Sequence, residues 1–135
     1  MAEVFKLKII TPERAFLECE ATFLEFTSTE GEMGIYAKHI PLTTILEPCV
    51  MKVHREDGMI KAAILGGFVE ILPDRITVLA ENAQWPEDID VARTEASLAR
   101  AKERIAGKKE GINMIRAEAS LKRAIARLNT VGKNM

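Results

Sequence analysis

The sequence predicts an α+β fold, with an N-terminal antiparallel β-sandwich or barrel followed by a C-terminal antiparallel two-helix hairpin. Apolar residues recur every second position as far as about Asn82, which is the period of strands. After Trp85 the period changes to that of helices. A chain of 135 residues can form one core with a smaller appendage. We therefore expect a β domain in residues 1–84 and a helical hairpin in residues 85–135.

The strands are predicted from short alternating runs such as Phe5 to Ile9, in which apolar and charged residues take turns. Such a run gives a sheet one oily face and one wet face. Turn-forming residues separate the runs at Thr11-Pro12-Glu13, Thr29-Glu30-Gly31, Glu47-Pro48, Glu56-Asp57-Gly58, Gly66-Gly67 and Pro73-Asp74. Many short strands at these intervals are typical of a sandwich or barrel.

Two helices are predicted in the second part, one from about Ile89 to Ala106 and one from Ile112 to about Leu128. Acidic residues that favour a helix start crowd the first turn, at Glu87, Asp88 and Asp90. The segment Gly107 to Gly111 has glycines at both ends and charges between them, so we expect it to be the turn of the hairpin.

The predicted inner face of the hairpin is rich in alanine. It comprises Ala92, Ala96, Ala99 and Ala106 opposite Ala117 and Ala124, with a few Ile and Leu residues. Alanine buries little apolar area, so at about 25 cal/mol per Å² such a seam stabilises less than a leucine seam. We expect a hairpin that a ligand worth a few kcal/mol can move.

Composition limits the function classes. The formal net charge is −1, so there is no overall field to attract nucleic acid or an anionic membrane. No apolar run approaches the roughly 20 residues that a membrane-spanning helix needs, and the N-terminus does not have the pattern of a signal peptide. The two cysteines, Cys19 and Cys49, stand apart from any metal-ligand spacing. They are predicted to be buried free thiols in a cytoplasmic protein, with no metal site.

Three segments bear a family resemblance. They are residues 31–42 (GEMGIYAKHIPL), 66–71 (GGFVEI) and 76–83 (ITVLAENA). Together they resemble the ε subunits of bacterial F-type ATP synthases, over the whole chain. The resemblance implies a rotor-stalk component whose β-sandwich sits beside the γ subunit and whose loop from Glu32 to His39 touches the ring of c subunits. Ala37 and Lys38 stand where that family commonly has Pro and Gly.

The segment from Ile89 to Thr94 (IDVART) resembles the nucleotide-binding signature of the same family, with Thr94 in place of an alanine. The resemblance implies that arginines hold the phosphates of ATP without hydrolysis, namely Arg93, Arg100, Arg123 and Arg127. It places Ile89 and Asp90 near the adenine and Arg116 at the periphery. Gln84 stands where nucleotide-binding relatives carry a carboxylate. Independently of any family, the spacing of the arginines puts them along one face of each helix, where their planar guanidinium groups suit phosphate oxygens.

The functional expectation is a non-catalytic subunit, since the sequence has no phosphate-binding glycine loop and no paired nucleophile and base. ATP is expected as a regulatory ligand, with no required cofactor. The resemblance implies γ, the c-ring and, with the hairpin extended, the catalytic β subunits as partners, at the cytoplasmic face of the bacterial plasma membrane. Two alternatives stay open. One is a nucleic-acid-binding module using the basic helices, and the other is an enzyme using His39 or His54 with a cysteine.

Overall fold

The computed structural model describes residues 3–107 and 113–132. Strands β1 to β8 occupy Phe5–Ile10, Ala15–Ala21, Phe23–Ser28, Gly31–Tyr36, Leu42–Arg55, Gly58–Ile71, Arg75–Ala80 and Ala83–Gln84. A 3₁₀ turn, Pro86–Asp88, leads to helices α1 (Val91–Gly107) and α2 (Met114–Thr130). The predicted α+β fold is confirmed. The predicted hairpin turn at 107–111 lies outside the described residues after Gly107, which ends α1.

The strands follow the spatial order β2-β1-β7-β6-β5-β3-β4, and β8 pairs with β6. Pairing is antiparallel except between β1 and β7, which run parallel. The predicted alternation holds in β1, where Phe5, Leu7 and Ile9 are buried and the two lysines between them are exposed. These side chains belong to a sandwich core that also contains residues such as Leu24, Met51, Ile64 and Val78.

Two of the predicted turns are wrong. Glu47-Pro48 lies inside β5 and Gly66-Gly67 inside β6, and the two strands pair along almost their whole length of 14 residues. Gly66 and Gly67 have positive φ angles of 102° and 122°. Residues 67–71 of β6 pair with β7, whereas residues 63–64 pair with β8. These turn-forming residues therefore mark a change of partner within β6 and do not end a strand.

The hairpin differs from its prediction on one face. Within α1 the buried residues are Thr94, Leu98 and Ala101, while Ala92, Ala96, Ala99 and Ala106 are exposed, so the predicted alanine face of α1 is wrong. Both sets of residues have helical spacing. The face that contains Leu98 is buried because leucine removes more apolar area from water than alanine does. On α2 the predicted Ala117 and Ala124 are buried, together with Ala126, Leu128 and Thr130.

The helix starts also differ from their prediction. Glu87 and Asp88 lie in the 3₁₀ turn and not in the first turn of α1. Asp90 immediately precedes the helix, and its side-chain Oδ1 accepts a hydrogen bond from the Arg93 backbone N–H at 3.0 Å. Helix α2 begins after Asn113, whose Oδ1 accepts from the Arg116 N–H at 3.1 Å. Both helices thus start at a residue type that favours N-caps.

The hairpin folds back on the sandwich, with α2 packed on β5 and β6 and α1 packed on α2. Between the helices lies an apolar cluster of Leu98, Ala124 and Leu128. A separate cluster joins the hairpin to the sheet through Ala63, Leu65, Ile89 and Ala126. Two of the four residues in this second cluster are alanines, which bury less apolar area than leucine or isoleucine.

The linker before the hairpin is anchored in the sandwich. The Trp85 ring stacks on Phe16 with centroids 4.4 Å apart, and Trp85 packs against the main core. Of the two free cysteines, Cys49 is buried as predicted, but Cys19 is only half-buried. None of the described helices is long and apolar enough to cross a membrane.

Candidate functional site

A cavity of about 430 Å³ opens where the linker, α1 and α2 meet. Its lining is almost entirely polar or charged: Gln84, Asp88, Asp90, Arg93, Thr94, Ser97, Arg100 and Arg127. The side chains come from β8, the 3₁₀ turn and both helices. The cavity therefore exists in this form only while the hairpin is folded against the sandwich.

The start of α1 fixes one wall of the cavity. Asp90 caps the helix by accepting a hydrogen bond from the Arg93 N–H, which fixes the first turn. The Thr94 hydroxyl donates to the Asp90 carbonyl at 2.7 Å. Thr94, where the family signature has alanine, is 6% exposed and keeps its hydroxyl bonded within the turn. Arg93 and Arg100, seven residues apart, then project from the same face of α1 into the cavity.

Helix α2 supplies the opposite wall through Arg127. Its Nε donates to Gln84 Oε1 at 2.7 Å, which ties α2 to the last strand of the sandwich. Burial lowers the pKa of Arg127, and the nearby charges of Arg123 and Arg93 lower it further. Burial is the larger cause, and the smaller contributions of Arg123 and Arg93 reflect guanidinium groups of two helices that lie close enough to repel one another.

The structure brings together six of the nine predicted ATP-site residues as cavity lining: Gln84, Asp90, Arg93, Thr94, Arg100 and Arg127. Arg123 is close enough to act on Arg127, but its Nη2 donates to Ser120 Oγ at 3.2 Å. Ile89 is 7% exposed and packs in the apolar cluster beneath α2. Arg116 is exposed in the first turn of α2.

Two cavity residues, Asp88 and Ser97, were missed by the sequence reasoning. Ser97 lies four residues after Arg93, so helical spacing could have found it. The sequence predicts Asp88 only as a favourable charge for a helix start. Its position in a separate 3₁₀ turn, which aims it at the cavity, has no comparable signal in the sequence.

The predicted c-ring contact residues lie elsewhere, on the edge of the sheet. Residues 31–36 form β4, so the prediction that Glu32 belongs to a loop is wrong, because Glu32 pairs with Thr27 of β3. The loop begins after Tyr36 and includes Lys38, whose positive φ of 64° is unusual for a residue with a side chain. His39 Nδ1 lies 2.7 Å from the Ile40 carbonyl oxygen.

These features define a class of small proteins in which a β-sandwich carries a C-terminal helical hairpin, with basic side chains converging at their junction. Two family models match the chain in the same order. The ATP synthase delta/epsilon chain β-sandwich domain matches residues 4–86, and the long α-helix domain of the same chain matches residues 87–132.

Relatives with full-length similarity include the ATP synthase epsilon chain of Ruminiclostridium cellulolyticum, 35% identical over 96% of both chains. The epsilon chain of Caldanaerobacter subterraneus is 41% identical over 98% of this chain and 97% of that one. The chain therefore belongs to the ATP synthase epsilon chain family. As such it is a non-catalytic subunit of the central stalk of that synthase.

Solved structures support the same fold. A chain of the Euglena gracilis mitochondrial ATP synthase, in a structure of its OSCP, F1 and c-ring, matches with a TM-score of 0.82 at 22% identity. That match covers 93% of this chain and 79% of the other. A chain from the Tetrahymena thermophila central stalk and c-ring matches with a TM-score of 0.57 at 13% identity, over 97% and 93% of the two chains.

Proposed function

We propose that this subunit couples the γ shaft to the c-ring and that its hairpin senses ATP by binding it without hydrolysis. The observation that carries the ATP proposal is the convergence of Arg93, Arg100 and Arg127 on one cavity that closes only when the hairpin is folded. A polyphosphate between these groups would replace their mutual repulsion with charge-assisted hydrogen bonds. With ATP scarce, the helices would open, extend along γ and reach the catalytic β subunits, which would block wasteful hydrolysis.

The γ contact is proposed for an exposed apolar row on the sandwich. Ile45, Phe68 and Leu79 lie directly opposite one another on β5, β6 and β7 and are 60%, 47% and 39% exposed. Exposed apolar residues in a contiguous row indicate a docking surface. We expect Phe68→Glu to abolish co-purification with γ while the isolated subunit stays folded, and undiminished co-purification would contradict this assignment.

The c-ring contact is proposed for the β4 edge and the following loop, through Glu32 and His39. Glu32 is exposed and its carboxylate can accept hydrogen bonds from polar groups of the ring. Such contacts would place the subunit peripherally at the cytoplasmic face of the bacterial plasma membrane, as part of the complex.

Calorimetric titration of the isolated subunit with ATP tests the nucleotide site. We expect Arg93→Ala and Arg100→Ala each to weaken binding about tenfold or more, since each removes a cavity-lining charge that would pair with a phosphate. Arg104→Ala is the matched control, because Arg104 is exposed near the end of α1 and does not line the cavity.

Equal heats from the wild type and both test variants would remove the proposed site. Binding of a nucleic acid in place of ATP, with an affinity that falls steeply as salt is added, would support the alternative of a nucleic-acid-binding module.

A further inference from the structure

A second groove, of about 560 Å³, lies between α2 and the outer face of the sandwich. None of its lining residues belongs to the arginine cavity. Lys52 and Lys61 line it from the sheet and Lys122 lines it from α2. Three lysines from separate elements therefore line one solvent-open groove.

The two sheet lysines form a like-charged pair. Lys52 of β5 and Lys61 of β6 are directly opposite in the strand register, an arrangement that destabilises a sheet by electrostatic repulsion. Among residues 3–107 and 113–132, neither lysine has an ion-pair partner within 4.0 Å. Lys52 also has a neighbour on β3, where Glu25 lies directly opposite it. The Oε2 atom of Glu25, however, is 2.6 Å from His54 Nε2. Within the described part of the chain, neither lysine of the pair is thus held in a salt bridge.

Helix α2 adds a third cation, Lys122, whose charge is partly balanced by a carboxylate. Lys122 Nζ lies 3.3 Å from Glu47 Oε2, an exposed pair of the kind that contributes little by itself. Glu32 also lines the groove. With Lys122 paired to Glu47, Glu32 is the one carboxylate among the lining residues that is left to balance Lys52 and Lys61, so the described groove keeps an excess of positive charge.

We propose that this groove binds a small phosphate-bearing anion, which bridges Lys52 and Lys61 of the sheet to Lys122 of α2. A phosphate group carries more charge and more acceptor oxygens than a carboxylate and can reach several ammonium groups at once. The volume falls within the range of about 300–1,000 Å³ typical of ligand pockets. Because the ligand touches both the sandwich and α2, its binding holds the hairpin closed. The side chains involved differ from those of the proposed ATP site, so either site can fail without the other.

The test uses thermal unfolding of the full chain with inorganic pyrophosphate or ATP, against sodium chloride at matched ionic strength. The Arg93→Ala/Arg100→Ala background removes two of the three arginines that line the arginine cavity and so weakens binding there. In this background we expect at least one of the two phosphates to raise the melting temperature. Lys52→Gln/Lys61→Gln is expected to weaken that binding about tenfold or more, and Lys102→Gln, an exposed position on α1, to leave it unchanged.

A stronger effect of pyrophosphate would assign the groove to free phosphates, and a stronger effect of ATP would assign it to nucleotides. Both results support the proposal. The Lys52→Gln/Lys61→Gln protein loses both the repulsion between the two lysines and the attraction of Lys52 to Glu25, so it is expected to fold with a nearly unchanged melting temperature when unliganded. A shift equal to that of sodium chloride, or one that persists in the lysine variant, would overturn the proposal.

Discussion

The buried thiol of Cys49 makes the free energy of unfolding depend on pH. Burial, with a smaller contribution from the charge of Glu47, raises the pKa of this thiol from its ordinary value of 9.0 to about 11, although a hydrogen bond from the Thr27 N–H partly opposes the shift. The folded state therefore favours the neutral thiol. The unfolded state gives up its proton first as the pH rises.

We expect the free energy of unfolding to fall by about 2 to 3 kcal/mol between pH 9 and pH 11 on account of Cys49 alone. Below pH 9 the stabilisation is fully present, because the thiol is protonated in both states. Urea unfolding across this range checks the prediction, with Cys49→Val as the protein that lacks the titrating group. Parallel pH profiles for the two proteins would contradict it.

At the scale of elements, the long strand β6 depends on Gly67 to change partners. A Cβ at this position would lie 2.0 Å from the Leu79 carbonyl oxygen, which is backbone and cannot move aside. Gly31 has the same φ of 122°, yet a Cβ there would meet nothing within 4 Å. The two glycines therefore separate the cost of a clash from the cost of the backbone conformation.

We expect Gly67→Ala to lower the free energy of unfolding by about 3 kcal/mol or more, and Gly31→Ala by only about 1 to 2 kcal/mol. Chemical denaturation of the two variants measures the difference. If they prove equally destabilised, the close approach at Leu79 does not constrain the strand.

The sequence predicted elements well where one pattern dominated. The alternation of β1 and the change of period after Trp85 were sufficient to predict a sandwich and a hairpin. The prediction of the buried face of α1 was wrong because two sets of residues have the same helical spacing. The alanine face and the Leu98 face both fit a helix. The predicted turn at Gly66-Gly67 was wrong because glycines occur both in turns between strands and at irregular positions within one strand.

Helical spacing and family resemblance together predicted part of the candidate site, namely its arginines. Arg93 and Arg100 share a helix face by spacing, and Arg127 lines the same cavity. The burial of Ile89 could not be foreseen, because it depends on how α2 lies across β6 and covers Ala63 and Leu65. Contacts between elements are set by tertiary packing, which one sequence does not display.

On the scale of the whole molecule, several contacts between described residues hold the hairpin to the sandwich. They include the cluster around Ile89 and Ala126, the Arg127–Gln84 hydrogen bond and the exposed Lys122–Glu47 ion pair. Against them acts the repulsion among the converging arginines. A ligand that neutralises this charge shifts the balance between closed and open hairpin by its differential affinity for the closed form.

Hydrogen exchange of the α2 backbone amides, with and without ATP, tests this account most directly. We expect ATP to slow exchange in residues 114–130 about tenfold or more in the wild type, because opening of the hairpin must first release the ligand. Arg93→Ala should need a correspondingly higher ATP concentration to show the same slowing. Identical exchange in α2 with and without saturating ATP would contradict the claim that the nucleotide holds the hairpin closed.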